Sequence, residues 1–447
     1  MTEYQIYKPK LLYKDGAFLE HQAVLVEGGK IRKIGCGDEL IRAFPTARVE
    51  NWEHLVLLPG NINIHNHCFQ SLLRGLATDI PFLQWRDEAL YRFSPILTPE
   101  DLYTGAVFAF GEMMKYGVTT VTDFFYLHNH GIASDEAIIK AARDVGIRLV
   151  LARTMYDWAG APAGYVESVP LAVEHTGRLM EQYNGKDDMV TVIPAPHSLH
   201  AASVEMVQAG FQLAKQYGTG YHIHVAEELF EVNDVKQQFG CRPIELLDRI
   251  GVLDERMTAV HCVWLDEHEK ELMSSRKASL AYCPSSNMFL ADGVTDIPYL
   301  KQHGVIVALG SDGACSNNRI SIYEEMRMTA LLQKVHHLDA LCVVAPEAYD
   351  MGTVNGGLIL KKPVGRLKEG YCADFTGVDL EHISMQPLYD NYEQLLYQMV
   401  YSMQPDAIRR VVVNGKTTVK DGVILTIPES EIVSRVQEVM KKFQAIQ

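Results

Sequence analysis

Two histidines one residue apart, His65 and His67, give the chain its first chemical signal. They close the stretch Leu58-Pro59-Gly60-Asn61-Ile62-Asn63-Ile64-His65-Asn66-His67, where an apolar run passes through a Pro-Gly turn into a short alternating strand. Alternate residues of a strand face the same side, so both imidazoles point one way, about 7 Å apart along the backbone. One metal ion can bridge that gap. A lone His-x-His also occurs in ordinary polar turns, so the rest of the chain must decide.

Further candidates stand where other strands should stop. His224 ends Tyr221-His222-Ile223-His224, and His261 ends Thr258-Ala259-Val260-His261. Asp312 follows Ile306-Val307-Ala308-Leu309 within Gly310-Ser311-Asp312-Gly313. Three imidazoles and one carboxylate suit a divalent ion, Zn2+ first and Fe2+ as the alternative, with a position left for water.

Such residues need a scaffold that gathers strand ends. Apolar runs at 119–124, 149–151, 190–193, 220–224, 258–261, 279–282 and 306–309 alternate with helix-like stretches. With the strand before His65 they make eight βα units over ~300 residues, the pattern of an α/β fold, the (β/α)8 TIM-type barrel. Chemistry in that barrel sits at the C-terminal strand ends, where all five residues fall.

Both termini read differently, as short strands broken by turns. Tyr4–Tyr7, Ala23–Val26 and Lys30–Ile34 lie on one side of the barrel region, Asp374–Val378 and Ile408–Lys416 on the other. Neither set has enough strands to be stable alone, so they are expected to pair as a small β-sandwich. The expected division is 1–58 for its first half, 59–363 for the metal-dependent barrel, and 364–447 for its second half. A charged helix over Glu429–Phe443 ends the chain.

With 447 residues, the chain is long for one core, and 47% hydrophobic with 22% charged residues is ordinary globular usage. The net charge of −15 argues against nucleic acid or an anionic membrane as partner. No apolar run approaches the ~20 residues of a membrane span. Met1-Thr2-Glu3-Tyr4 does not open a signal peptide. Eight scattered cysteines without Cys-x-x-Cys fit reduced thiols and a cytoplasmic location.

These motifs resemble the amidohydrolase superfamily, in its cytosine deaminase-like aminohydrolase branch. The resemblance spans nearly the whole chain, through Pro59-Gly60 to Gly365-Arg366-Leu367-Lys368-Glu369-Gly370-Tyr371-Cys372-Ala373-Asp374 and Val413-Asn414-Gly415. It implies His65, His67, His224 and Asp312 as metal ligands. His222 is the competing choice, disfavoured because the His-x-x-Glu spacing aligns from His224. Members with two metals bridge them through a carboxylated lysine ending the fourth strand. Here that strand continues Ala195-Pro196-His197-Ser198 without a lysine, so a single metal is expected.

The implied reaction is hydrolytic deamination. Zinc lowers the pKa of its bound water to about 7, so hydroxide is available at neutral pH. Asp312 would take the proton and aim the nucleophile. Glu227, one helical-turn spacing beyond His224, would protonate the ring or amidine nitrogen and help ammonia leave. His261 would orient the hydroxide or stabilise the tetrahedral intermediate.

For substrate, two resemblances compete. Leu72–Trp85 and Gly310–Asn318 look like the S-adenosylhomocysteine/methylthioadenosine deaminases, whereas Trp85-Arg86, Phe125–His128 and Pro196–Leu199 look like the formimidoylglutamate deiminases. The latter read a carboxylate with an arginine where this chain has His200. Expected contacts are Gln70, Trp85, Arg86, Tyr126, His197 and His200, with Trp85 and Tyr126 stacking on a ring and Gln70 and Arg86 bonding its carbonyls. The expected substrate is a purine, pterin or related small aminoheterocycle. The alternatives are a formimidoylglutamate-type deiminase, an s-triazine-type hydrolase, and a metal-binding interaction protein without catalysis. A homo-oligomer is expected by family analogy.

Overall fold

Residues 118–125 and 148–155 are buried along their whole length, as strands covered by helices on one face and by a barrel interior on the other must be. In the computed structural model, which describes residues 4–446, they belong to a run of eight parallel strands. Met1–Glu3 and Gln447 lie outside the described residues, and with them most of the N-terminal opening expected to lack a signal peptide.

The eight strands are β1 (Asn61–Asn66), β2 (Val118–Phe125), β3 (Arg148–Met155), β4 (Val190–Pro196), β5 (Tyr221–Val225), β6 (Met257–His261), β7 (Ser279–Tyr282) and β8 (Val307–Leu309). They hydrogen-bond in chain order as two four-stranded sheets, β1 to β4 and β5 to β8. Single hydrogen bonds span both seams. His224 N donates to His197 O (2.9 Å) between β4 and β5, and Asp312 N donates to His65 O (3.0 Å) between β8 and β1. Candidate ligand residues thus sit at the joints of the ring.

Helices follow the strands, and their starts are written locally. Thr98 and Asp101 form a reciprocal capping box on helix Pro99–Lys115, with Pro99 at its first position. Ser203, Asp266 and Ser321 cap the helices after β4, β6 and β8. Between β1 and the first of these helices the chain makes a long excursion, residues 67–98, which includes a π-helical turn over Arg86–Tyr91. That excursion returns across the C-terminal end of the ring.

The terminal strands pair as expected, edge to edge in one hydrogen-bonded sheet of nine strands. Its halves meet where Phe375–Asp379 runs antiparallel to Leu55–Pro59. Tyr7, Trp52 and Phe375 pack edge-on to one another on one face of this sheet. Gly60 makes the passage into β1, because a Cβ there would lie 2.2 Å from the Thr119 hydroxyl.

One buried ion pair ties this sheet to the ring. Arg148 of β3 donates from Nε (2.8 Å) and Nη2 (3.0 Å) to the carboxylate of Asp374, and both side chains are 1% exposed. Removing one partner leaves the other charge buried alone. Asp374→Ala should therefore destabilise the protein by about 3–5 kcal/mol, read as a lower urea midpoint. A midpoint unchanged from wild type would show that the pair does not hold the two parts together.

Candidate metal centre

β1 delivers His65 and His67 to the same side, as alternation requires, and both are buried. His67 Nδ1 lies 2.6 Å from Phe124 O, and His224 Nδ1 lies 2.9 Å from His197 O. A carbonyl only accepts, so both Nδ1 atoms carry the proton and both Nε2 atoms present lone pairs. Those lone pairs converge. His224 Nε2 is 3.2 Å from His65 Nε2, and His67 Nε2 is 3.2 Å from Asp312 Oδ1.

Asp312 is aimed from three directions. Ser286 Oγ donates to Oδ2 (2.6 Å), Gly313 N donates to Oδ1 (2.7 Å), and the backbone is anchored to His65 O. Gly310, just before it, lies so close to β1 that a Cβ would meet the His65 backbone oxygen at 2.8 Å. Backbone strain gathers here too. Ala226, His261, Cys262 and Asp312 all adopt positive φ, 49°, 70°, 51° and 57°, at the ends of β5, β6 and β8. Each such residue costs of order 1–3 kcal/mol and persists where the surroundings hold it.

Electrostatics match a cation site. Burial pushes His65 down to about 3 and His224 well below the usual histidine range. Burial opposes ionisation of Asp312, yet its contacts with the His65 and His67 imidazoles hold its carboxyl well below the ordinary value. Burial thus favours the neutral, ligating form of His65 and His224, whereas at His67 the burial effect is outweighed by Asp312, which raises that imidazole above its ordinary value. The ligand atoms of His65, His67 and His224 lie within 4.8 Å of one another, and so do those of Glu227, His261 and Asp312. Several acceptor atoms packed against one another without a proton between them fit a divalent cation.

Glu227 has the opposite character. Burial, then the charges of Asp312 and Glu228, push its carboxyl well above the ordinary glutamate value, which favours the protonated form. Its Oε1 lies 3.3 Å from His261 Nε2, whose Nδ1 is 2.9 Å from Asn287 Oδ1. The step from His224 to Glu227 is not helical, because Ala226 turns the chain and the helix begins at Leu229. His222 points elsewhere, with Nε2 3.2 Å from Ile64 O.

Behind Glu227 sits Glu231, raised to about 8 by burial and by Glu227. A carboxyl whose folded pKa exceeds its unfolded value near 4.5 contributes stability fully below that value and loses it as pH rises through about 8. The unfolding midpoint of the metal-free protein should thus fall between about pH 5 and 8.5, and Glu231→Gln should flatten that slope. An unaltered slope would assign the pH dependence to other groups.

Gln70, Trp85, Arg86, Tyr126, His197 and His200 all line one cavity, together with His67, His224, Glu227, His261 and Asp312. Their contacts differ from simple expectation at two places. The Gln70 carboxamide is already engaged, its nitrogen donating to Tyr126 Oη (2.9 Å) and its oxygen accepting from Cys315 Sγ (3.2 Å). Trp85 is pinned by a bond from Nε1 to Cys315 O (3.1 Å). The sequence alone does not single out Tyr91, Tyr156 and Tyr165 in the wall, or Ser286 and Asn287 beneath it. The last two follow β7 in Cys283-Pro284-Ser285-Ser286-Asn287, so the strand-end rule applied to that strand would have found them. A larger cleft of about 690 Å3 between helix Pro99–Lys115 and helix Glu429–Gln444 holds no such donor cluster, and its Glu429 is paired with Lys115.

Parallel α/β architecture with this donor set at its strand ends defines a metal-dependent hydrolase. The amidohydrolase family model matches residues 56–418. The chain is 33% identical over 430 residues to the 5-methylthioadenosine/S-adenosylhomocysteine deaminase of Syntrophomonas wolfei, covering 95% of each protein. It is also 33% identical to the Pyrococcus furiosus protein of that name, covering 96% of this chain and 98% of that one. Among solved structures, an adenosine deaminase from Xanthomonas campestris with bound zinc aligns over 99% of this chain and 98% of that one, with TM-score 0.92 and 26% identity. Atrazine chlorohydrolase from Arthrobacter aurescens, also with zinc, shares the fold at TM-score 0.90 and 22% identity, covering 97% and 99% of the two chains. This chain belongs to the amidohydrolase family.

Proposed function

We propose that the protein is a mononuclear, zinc-dependent hydrolytic deaminase of a small, purine-like aminoheterocycle. The observation that carries this reading is the pairing of two unlike carboxyls in one cavity. Asp312 stands beside the imidazoles with its carboxyl held well below the ordinary value, and Glu227, whose carboxyl burial pushes well above its ordinary value, brings an oxygen within 4.8 Å of it. Environments that push two titrating groups apart assign the base and the acid. His65, His67, His224 and Asp312 would hold the ion, and the absence of lysine from Val190–Pro196 supports one metal rather than two. A bound divalent ion supplies the Lewis acidity that makes water a nucleophile at neutral pH.

The chain's own residues then divide the work. Asp312, fixed by Ser286 and Gly313, accepts the proton from the attacking water. Glu227 delivers its proton to the ring nitrogen beside the carbon under attack. His261, held by Asn287, faces the oxygen that gains charge. Asp312 then passes the proton it took to the amine, which leaves as ammonia, and the proton of the new hydroxyl returns to Glu227.

The terminal halves, 1–58 and 364–447, act in this reading as a small β-sandwich against a closed (β/α)8 barrel over 59–363. An apolar cluster of their own, with Tyr7, Trp52 and Phe375, supports that division. Eight unbridged cysteines support a reducing, cytoplasmic location, and no helix among the described residues is long and apolar enough to cross a membrane. Exposed Val335, Leu338 and Leu341 at the end of helix Ile322–His337 support a homo-oligomer.

Ammonia release by the zinc-loaded protein tests the reading. The panel comprises purines, pterins, adenine nucleosides, s-triazines and formimidoylglutamate. Release from an aminoheterocycle is expected. Release from formimidoylglutamate alone, or chloride release alone, would overturn it.

A further inference from the structure

The cavity in front of the metal centre is small, about 60 Å3, against the 300–1,000 Å3 usual for drug-sized ligands. Aromatic side chains wall it. Tyr91 Oη and Tyr156 Oη meet at 3.1 Å, joining the excursion after β1 to the loop after β3 across one side. Trp85 is locked behind by Cys315 O. Flat, rigid walls set this close accept a planar ring and leave little depth for a sugar.

The polar groups of the cavity are arranged from bottom to mouth. His224 lies at the metal end, His197 follows with its ring centroid 4.9 Å away, and His200 follows His197 at 5.8 Å. Arg86 completes the line at the rim, its guanidinium stacked over Tyr91 (4.8 Å) and over the half-exposed Trp158 (5.6 Å). Asp87 Oδ1 takes Nε (2.9 Å) and Nη2 (2.8 Å), which fixes one edge of the guanidinium, and Arg86 lines the cavity. His200 Nδ1 is buried and has no hydrogen-bond partner among the described residues. The Arg86 guanidinium and, in its Nδ1–H tautomer, His200 can therefore both donate to an acceptor there. Among the described residues lining the cavity, the only carboxylates are Glu227 and Asp312, both at the metal end. The Asp87 carboxylate beside Arg86 does not line the cavity and is engaged through Oδ1 by the guanidinium, so no lining carboxylate at the mouth grips a vicinal diol.

We propose that the site takes a free base rather than a nucleoside. Its substrate is a planar amino-substituted ring system bearing an oxygen on the edge opposite the amine, and Arg86 and His200 read that oxygen. This rests on the reading of the site as a deaminase and narrows its substrate. Arg86 and His200 are specificity determinants here. Glu227 and Asp312 act at the other end of the ring.

Steady-state ammonia release by the zinc-loaded full chain decides the matter with three matched probe sets. These are amino-oxo bases (guanine, its oxidised form, an amino-oxopteridine), an aminopurine lacking ring oxygen, and the nucleosides guanosine, adenosine and methylthioadenosine. The expected result is highest kcat/KM on an amino-oxo base, with the matching nucleoside at least about 100-fold slower. A charge-assisted hydrogen bond supports about 10–100-fold, so Arg86→Met should lower kcat/KM on the oxo base by that factor, mostly through KM. The same variant should change the oxygen-free base less than about threefold, and His200→Phe should show the same selective pattern. Nucleosides turned over as well as or better than bases would overturn the proposal while leaving the deaminase reading intact. So would losses in both variants that are equal on oxygen-bearing and oxygen-free rings. Ammonia from no compound of the three sets would bring down both.

Discussion

Glu227→Gln should retain one metal ion per chain and lose about 10³-fold in kcat, within the 10²–10⁴ range that a positioned general acid contributes. The amide keeps the shape of the side chain and removes the proton. Burial and the nearby Asp312 and Glu228 push the Glu227 carboxyl well above its ordinary value, which favours the protonated form that the proposed acid role requires. Its folded pKa is raised, so the wild-type rate should fall only as pH rises through that elevated value, and the residual rate of the glutamine variant should not show that fall. Metal content by elemental analysis and a pH–rate profile on one ammonia-releasing substrate check both parts. An active variant, or one that has also lost its metal, would remove Glu227 from the acid role.

Asp312→Ala should lose both turnover and metal. The carboxylate is the one anionic member of the four-residue set, it sits 3.2 Å from His67 Nε2, and Ser286 and Gly313 already fix its two oxygens. Removing it leaves three neutral imidazoles and no group to accept the proton, for an expected loss of at least about 10³-fold in kcat with weaker zinc retention on gel filtration. The same change does not relieve the left-handed backbone at φ 57°, since alanine tolerates that region less well than aspartate. Stability should therefore not rise enough to mask the effect. Undiminished zinc content would place the ligand elsewhere.

Much of this was legible in the sequence because a parallel ring places each strand's chemistry at one end. His65, His67, His224, His261 and Asp312 each close an apolar run, and that alone brings them to one rim. What stayed hidden has two physical sources. Tyr91, Tyr156 and Tyr165 come from excursions with no apolar period, including a π-helical turn, so nothing local announces that they fold back over the rim. Pairing of Phe375–Asp379 with Leu55–Pro59 joins segments some three hundred residues apart, and the edge-to-edge continuity of that sheet is a long-range property. His197 illustrates a mixed case. Its side chain was expected to meet substrate, whereas its carbonyl, invisible to residue-type reasoning, sets the tautomer of His224.

The most direct measurement is zinc content and ammonia release on the same sample, before and after chelation and after zinc is returned. One zinc per chain, ammonia released from an amino-substituted ring, loss of that release on chelation, and recovery on reloading are expected. Full ammonia release from protein stripped of metal would contradict that expectation.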